Sequence, residues 1–143
     1  MTDRAFTADD LKNAPLFAGL RAADLEAILR IAQPADFEAG ADIVKQGDPG
    51  DGMYLVVEGA AEVDVGGRFH RLGPGDFFGE MALVSSRKRI ATVRATEPVR
   101  ALVIPPEAFR SFVLEHPGVA LSMLEAVVER LREVEQRIDA WMA

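Results

Sequence analysis

The chain has 143 residues, 49% hydrophobic and 27% charged, a length that predicts one domain whose core hides roughly 68–70% of the unfolded chain's surface. Cysteine is absent, which excludes disulfides, thiolate metal sites, iron–sulfur clusters and Cys nucleophiles. With 16 basic against 23 acidic side chains the formal charge is −7, which sets the surface against a phosphate backbone, so direct nucleic-acid binding is not expected.

Met1 to Thr7 carries neither the charged head nor the apolar stretch of a secretory signal, and no apolar run reaches about 18 residues. A cytoplasmic location without membrane contact is expected. Leu11 to Ala32 reads as helix, with Leu25, Ile28, Leu29 and Ala32 at i, i+3, i+4 and i+7, and Pro34 stops it. From Asp36 to Ile104 short β-rich runs alternate with glycines. Met53–Val57, Ala61–Val65, Ala91–Ala95 and Val99–Ile104 read as strands, and Gly66-Gly67 as a hairpin turn. Pro105-Pro106 ends the strands, and Glu107 to Leu114 is a short helix. From Gly118 helical periodicity continues without a breaker, and Ala120, Leu124, Val127, Leu131, Val134, Ile138 and Trp141 keep the 4-3 spacing of a coiled-coil seam. Two covers fit that stripe: a partner helix, or the chain's own barrel.

Most catalytic patterns are missing. His70 and His116 stand in no H-x-H or H-E-x-x-H setting and read as structural or solvated. The serines at 85, 86, 111 and 122 lie outside any G-x-S-x-G. Gly47-Asp48-Pro49-Gly50-Asp51-Gly52 lacks the ligand spacing and distal glutamate of a calcium loop and reads as a tight turn. Gly73-Pro74-Gly75-Asp76-Phe77-Phe78-Gly79 is one residue too long for a dinucleotide fingerprint. No metal, no cofactor and no catalytic residue is expected, and the chain is not expected to be an enzyme.

Chemistry concentrates in Phe78-Gly79-Glu80-Met81-Ala82-Leu83-Val84, a polar turn, and Arg89-Ile90-Ala91-Thr92-Val93. A glycine opening a helical turn lets backbone N–H groups approach an anion. An arginine can add two parallel charge-assisted hydrogen bonds to a phosphate. Glu80 would repel that phosphate, so its place in an anion site makes sense if it accepts from a hydroxyl on the same ligand, as an acidic residue does for ribose in dinucleotide folds. Taken singly, Arg89 is a solvated turn arginine and Glu80 a surface glutamate; their joint setting is what points to a nucleotide.

These two runs resemble the phosphate-binding cassette of cyclic nucleotide-binding domains, the family of the catabolite activator protein and the protein kinase A regulatory subunit. The likeness extends to Leu16-Phe17 with Leu20, Gln46-Gly47-Asp48, Glu58-Gly59, Gly75-Asp76-Phe77 and His116-Pro117, nearly the whole chain. It implies a mainly β fold with flanking helices: a double-stranded β-helix, or jelly-roll-like β-roll, with an N-terminal helical segment and a long C-terminal helix. The chain then divides into N-terminal helices at 1–34, a β-roll at 36–104 with its cassette at 78–93, and C-terminal helices at 107–142, within one domain spanning 1–143. By position, Gly79, Glu80, Met81 and Ala82 line the cassette, with Glu80 on the ribose 2′-hydroxyl. Arg89 grips the phosphate, Ile90 and Ala91 approach it from the next strand, and Val63 and Leu72 face the base. Leu131, Val134 and Glu135 are the nearest candidates for a lid, and Trp141 reads as a seam or core aromatic rather than a purine stacker.

Two departures stand beside Arg89: Lys88 where the family often has proline, and Ile90 where it often has Ala, Ser or Thr. Ile90 offers no hydroxyl to guanine, which favours cyclic AMP over cyclic GMP; the same bulk also fits a restricted or retuned site. The resulting expectation is a ligand sensor that relays occupancy through its C-terminal helix to a second subunit or a separate effector, since 143 residues leave no room for a DNA-binding, kinase or channel domain. The alternative is a dimerisation or interaction scaffold of the same fold with lost or altered ligand binding. A cupin-type enzyme would need a His-rich metal site that two isolated histidines do not supply.

Overall fold

The computed structural model describes residues 6–12, 17, 19–79, 82 and 88–142. In chain order these form α1 (Ala8–Lys12), α2 (Ala22–Ile31), β1 (Gln33–Phe37), β2 (Asp42–Val44), β3 (Met53–Glu58), β4 (Ala61–Val65), β5 (Arg68–Leu72), β6 (Phe77–Phe78), β7 (Thr92–Ala95), β8 (Val99–Ile104), α3 (Pro106–Glu115) and α4 (Pro117–Met142). The strands pair antiparallel into two four-stranded sheets, ordered β1-β8-β3-β6 and β2-β7-β4-β5. This is a jelly-roll-like β-roll flanked by helices, as the resemblance implies.

Period-2 geometry explains why β3 and β8 are the structural centre. Successive side chains of a strand point to opposite faces, and both faces of these two strands are covered. Met53, Leu55, Leu102 and Ile104 turn toward Leu25, Ile28, Phe109, Phe112, Val119 and Met123 of the helices. Tyr54, Val56, Val99 and Ala101 turn the other way, against Ile43, Val44, Ala61, Val93 and Ala95 of the second sheet. Each fully buried aliphatic side chain in such a layer stabilises the fold by about 1.5–3 kcal/mol relative to exposure. The three layers, helices, first sheet and second sheet, therefore share a single wall.

The structure revises three expectations about elements. The helix read from Leu11 to Ala32 is two helices, α1 and α2, with Arg21 in extended backbone just before the second; Pro15 and Gly19 fall between them, where a missing N–H and a weak helix former favour a break. α2 ends at Ile31, one residue short of the expected Ala32, because Ala32 is already extended and Pro34 pairs with Leu102 in β1. Strand structure therefore begins at Gln33, ahead of the expected Asp36. Proline is tolerated there because β1 lies at the edge of its sheet. The strands at 53–58, 61–65, 92–95 and 99–104 and the hairpin at Gly66-Gly67, with φ of 58° and 85°, match the expectation closely. β1, β2, β5 and β6 have no individual counterpart among the expected strands.

α4 resolves part of the question about its apolar stripe. Its first turns pack inward through buried Val119 and Met123, with Ala126 partly covered. Along the expected seam, Ala120 is half-buried, whereas Leu124, Val127, Leu131 and Val134 are exposed. The chain's own barrel therefore covers the neighbouring stripe and leaves these four uncovered. The side chains of Ile138 and Trp141 lie outside the described residues.

Candidate functional site

The β6 strand delivers the chain to Gly79, whose φ of +78° lies in the left-handed region. The Ala82 N–H then donates to the Gly79 carbonyl at 3.0 Å, closing one tight turn. A Cβ on residue 79 would run into the Arg89 guanidinium and stand 2.9 Å from the Gly52 carbonyl oxygen. Only a hydrogen fits over that cation. Gly79→Ala is expected to lower unfolding stability by about 1–2 kcal/mol from left-handed backbone strain alone, before any cost of displacing the guanidinium; thermal melting compared with Gly73→Ala, where an added Cβ meets nothing within 4 Å, checks this.

Arg89 is held inward. Its backbone N–H donates to the Asp48 carbonyl at 2.8 Å and its carbonyl accepts from Gly47 N–H at 2.9 Å, while Gln46 N–H donates to Thr92 Oγ1 at 3.0 Å. These bonds stitch the 46–48 turn to the start of β7, so the arginine leaves a fixed backbone. Its side chain is only 7% exposed. Nη2 donates to Asp51 Oδ1 at 2.5 Å and to the Gly52 carbonyl at 2.8 Å, and Cζ lies 5.6 Å from the centroid of the Tyr54 ring. The buried Nε–H has no hydrogen-bond partner among the described residues.

That arrangement has a chemical direction. Burying an ionised group is costly unless it is paired and hydrogen-bonded. Asp51 supplies one carboxylate, itself 64% exposed, and the orphaned Nε–H leaves the cation with a donor for a further anionic oxygen. A glycine that permits backbone to approach within contact of a guanidinium, and a guanidinium with a donor to spare, fit a phosphate with one negative charge. Beneath them Tyr54, 5% exposed, stacks on Phe78 at 5.0 Å and 3° and leans on Phe37 at 6.3 Å. Its hydroxyl donates to Asp51 Oδ2 at 3.0 Å. Burial, followed by the Asp51 charge, pushes its pKa up to about 12.

Of the residues expected at the site, the structure brings Gly79 and Arg89 into direct opposition and sets Ala82 one turn from Gly79. Ala91 is half-buried beside them in sequence, whereas Ile90 is 67% exposed. Val63 and Leu72 are half-buried and pack on the same inter-sheet cluster as Tyr54 and Phe78. Leu131, Val134 and Glu135 are exposed on α4. Glu80 and Met81 lie outside the described residues. His116 is structural, as expected: its Nδ1 donates to the Phe112 carbonyl at 3.0 Å and its ring stacks on Phe112. The residues that reasoning from sequence did not assign to the site are Asp51, Gly52 and Tyr54. Asp51 was visible as an acid in a glycine-rich turn, but its pairing with Arg89 spans 38 positions and follows no local spacing rule.

Comparison with known proteins bears on the same segment. The family model described as "Cyclic nucleotide-binding domain" matches residues 34–116. The chain is 40% identical over 116 residues to a cyclic nucleotide-gated potassium channel of Mesorhizobium japonicum, covering 81% of this chain and 32% of the channel. It is 32% identical over 135 residues to the cyclic AMP receptor protein of Thermus thermophilus, covering 90% of this chain and 62% of that protein. Among solved structures, the N-terminal domain of a transcriptional regulator from Streptomyces coelicolor A3(2) superposes with a TM-score of 0.78 at 30% identity, covering 90% of this chain and 96% of that one. The chain spans only about a third to three fifths of these two curated relatives. Relatives named as regulators and channels agree with the expectation that this is not an enzyme. No single helix among the described residues is long and apolar enough to cross a membrane.

Proposed function

This chain belongs to the cyclic nucleotide-binding domain family, and we propose that residues 1–143 act as one sensing domain that binds a purine 3′,5′-cyclic monophosphate at the Gly79–Arg89 site. The observation that carries this reading is the Arg89 guanidinium, buried beneath a glycine that admits no Cβ and retaining a buried N–H without a partner among the described residues. In the reading, Arg89 and the backbone amides of Gly79 to Ala82 hold the cyclic phosphate, and Glu80 accepts from the ribose 2′-hydroxyl. Ile90 and Ala91 flank the phosphate, and Val63 and Leu72 form the apolar wall facing the base. Cyclic AMP is the favoured ligand because Ile90 has no hydroxyl to offer guanine, and the Thermus relative is named as a cyclic AMP receptor.

Occupancy is relayed through α4. The exposed stripe Leu124, Val127, Leu131 and Val134 is the surface on which a second copy would pair, with Leu131, Val134 and Glu135 available to cover the base. A ligand that binds one position of α4 better than another shifts their equilibrium by its differential affinity, and whatever grips α4 registers that shift.

The test is a calorimetric titration of the purified chain with cyclic AMP, cyclic GMP and linear AMP. Saturable binding of cyclic AMP, tighter than cyclic GMP and much tighter than linear AMP, is expected. Absence of heat and of any thermal shift with both cyclic nucleotides would instead establish the alternative, an interaction scaffold of this fold without ligand binding.

A further inference from the structure

We propose that the corner where α3 passes into α4 is a second binding site, for a small organic cation carrying a guanidinium or primary ammonium group, and that its occupant biases the setting of α4. The binding half stands apart from the cyclic nucleotide site; the regulatory half rests on α4 being the output element. A cavity of about 350 Å³ opens at this corner. It is lined by Arg21 and Asp24 at the start of α2, by Glu115 and His116 at the corner itself, and by Gly118 and Ser122 in the first turns of α4. That volume lies within the range of small-ligand sites.

Asp24 gives the cavity its character. Its side chain is only 10% exposed, yet its side-chain partner among the described residues is Arg21, whose Nε stands 3.4 Å from Oδ2 and whose own side chain is 84% exposed. A contact of that length to a solvated arginine compensates a buried carboxylate weakly, and Oδ1 accepts from no group among the described residues. The positive end of α2 favours an acidic residue in its first turn, which accounts for the charge but not for its enclosure beside an open volume.

The remaining lining points the same way. His116 spends Nδ1 on the Phe112 carbonyl; a carbonyl only accepts, so Nδ1 carries the proton and the neutral ring keeps Nε2 as an acceptor. Ser122 adds a hydroxyl and Glu115 a second carboxylate. The negative end of α3 and the positive end of α4 meet here and offset one another, so side chains set the local charge, with two carboxylates against one guanidinium. What the cavity lacks is a positively charged donor. A bare metal ion does not fit, since no group of three His, Cys, Asp or Glu among the described residues could hold one. An extended organic cation does fit, its charged head toward Asp24 and its aliphatic part along Pro117 and Val119.

Position gives the site its consequence. Val119 belongs both to the cavity wall and to the core cluster that anchors α4, so an occupant touches the root of that helix as well as α2. A cation held better in one setting of α4 than in another shifts the helix toward that setting. By linkage it then changes cyclic AMP affinity by the same factor by which cyclic AMP changes cation affinity.

The experiment titrates the full chain with n-butylguanidinium, and separately with n-butyrate, following backbone amide resonances. Saturable binding of the cation with a dissociation constant of about 1 mM or tighter is expected, with shifts centred on Asp24, Gly118 and Ser122 and no response to butyrate. Asp24→Asn, which keeps the shape, should weaken the cation at least about tenfold, and Glu115→Gln, at an exposed position, about threefold. Ser122→Leu, which fills the volume without touching a charge, should abolish binding. Calorimetry with saturating butylguanidinium should show cyclic AMP affinity changed at least about threefold. No saturable cation binding, an equal response to butyrate, or parental affinity in either Asp24→Asn or Ser122→Leu overturns the site. Unchanged cyclic AMP affinity overturns the regulatory half. A chain that binds the cation but no cyclic nucleotide overturns the Gly79–Arg89 reading, and the regulatory half with it, while the cation site stands.

Discussion

Arg89→Ala is expected to weaken cyclic AMP binding by about 2–5 kcal/mol, at least a tenfold rise in dissociation constant. The size follows from burial: a contact between a phosphate and a guanidinium that is 7% exposed is desolvated on the protein side, and truncation leaves the anion facing apolar surface and a carboxylate. Asp51 makes matters worse for the variant. In the parent chain its charge is balanced by Arg89, and without that partner it stands as a net repulsion at the phosphate site. The fold should survive, because Asp51 is largely exposed and can be resolvated, and because Tyr54, Phe78 and Phe37 keep their own packing. Arg89→Lys should fall between, retaining the charge but losing the planar fork. Calorimetry checks both, and an Arg89→Ala chain with parental affinity would remove the phosphate from this site.

Leu131→Asp is expected to convert a dimer into a monomer, weakening association by at least about 3 kcal/mol, since each dimer would bury two carboxylates at an apolar seam. The position is well chosen because Leu131 is 57% exposed and contributes nothing to the intrachain core, so the variant should melt as the parent protomer does. Met123→Asp is the instructive contrast. Met123 is buried in the cluster that joins α4 to the first sheet and the other helices, and its replacement should unfold the junction itself. Sedimentation across micromolar concentrations distinguishes these outcomes, and a parent chain that stays monomeric at high micromolar concentration disposes of the seam.

The strands legible before any coordinates were those whose burial imposes a pattern. Met53–Val57 is a continuous apolar run, and Val99–Ile104 is one interrupted only by Arg100, because β3 and β8 are covered on both faces. β1 reads as Gln-Pro-Ala-Asp-Phe and β5 as Arg-Phe-His-Arg-Leu; both are edge strands, largely exposed, and nothing forces their side chains to alternate. β6 is two residues long, too short for a period. The site divides in the same manner. Gly79 and Arg89 were legible because local spacing around a turn carries their chemistry. Asp51 and Tyr54 were not, because the contact that gives them a role is made by the roll closing two distant loops together. The stripe on α4 was legible as apolar, but its division between a face turned to the core at Val119 and Met123 and an open face at Leu124 to Val134 depended on where α3 aims the helix.

The attachment of α4 near one end has a mechanical result. Val119 and Met123 form the fulcrum, and from Met123 to Met142 the helix runs for about 28 Å at 1.5 Å per residue. A tilt of about 10° at the fulcrum carries the far tip through roughly 5 Å. Under the proposed relay through α4 that length sets the stroke delivered to a partner, and adding or deleting turns beyond Val134 is expected to change the stroke while leaving ligand affinity where it was.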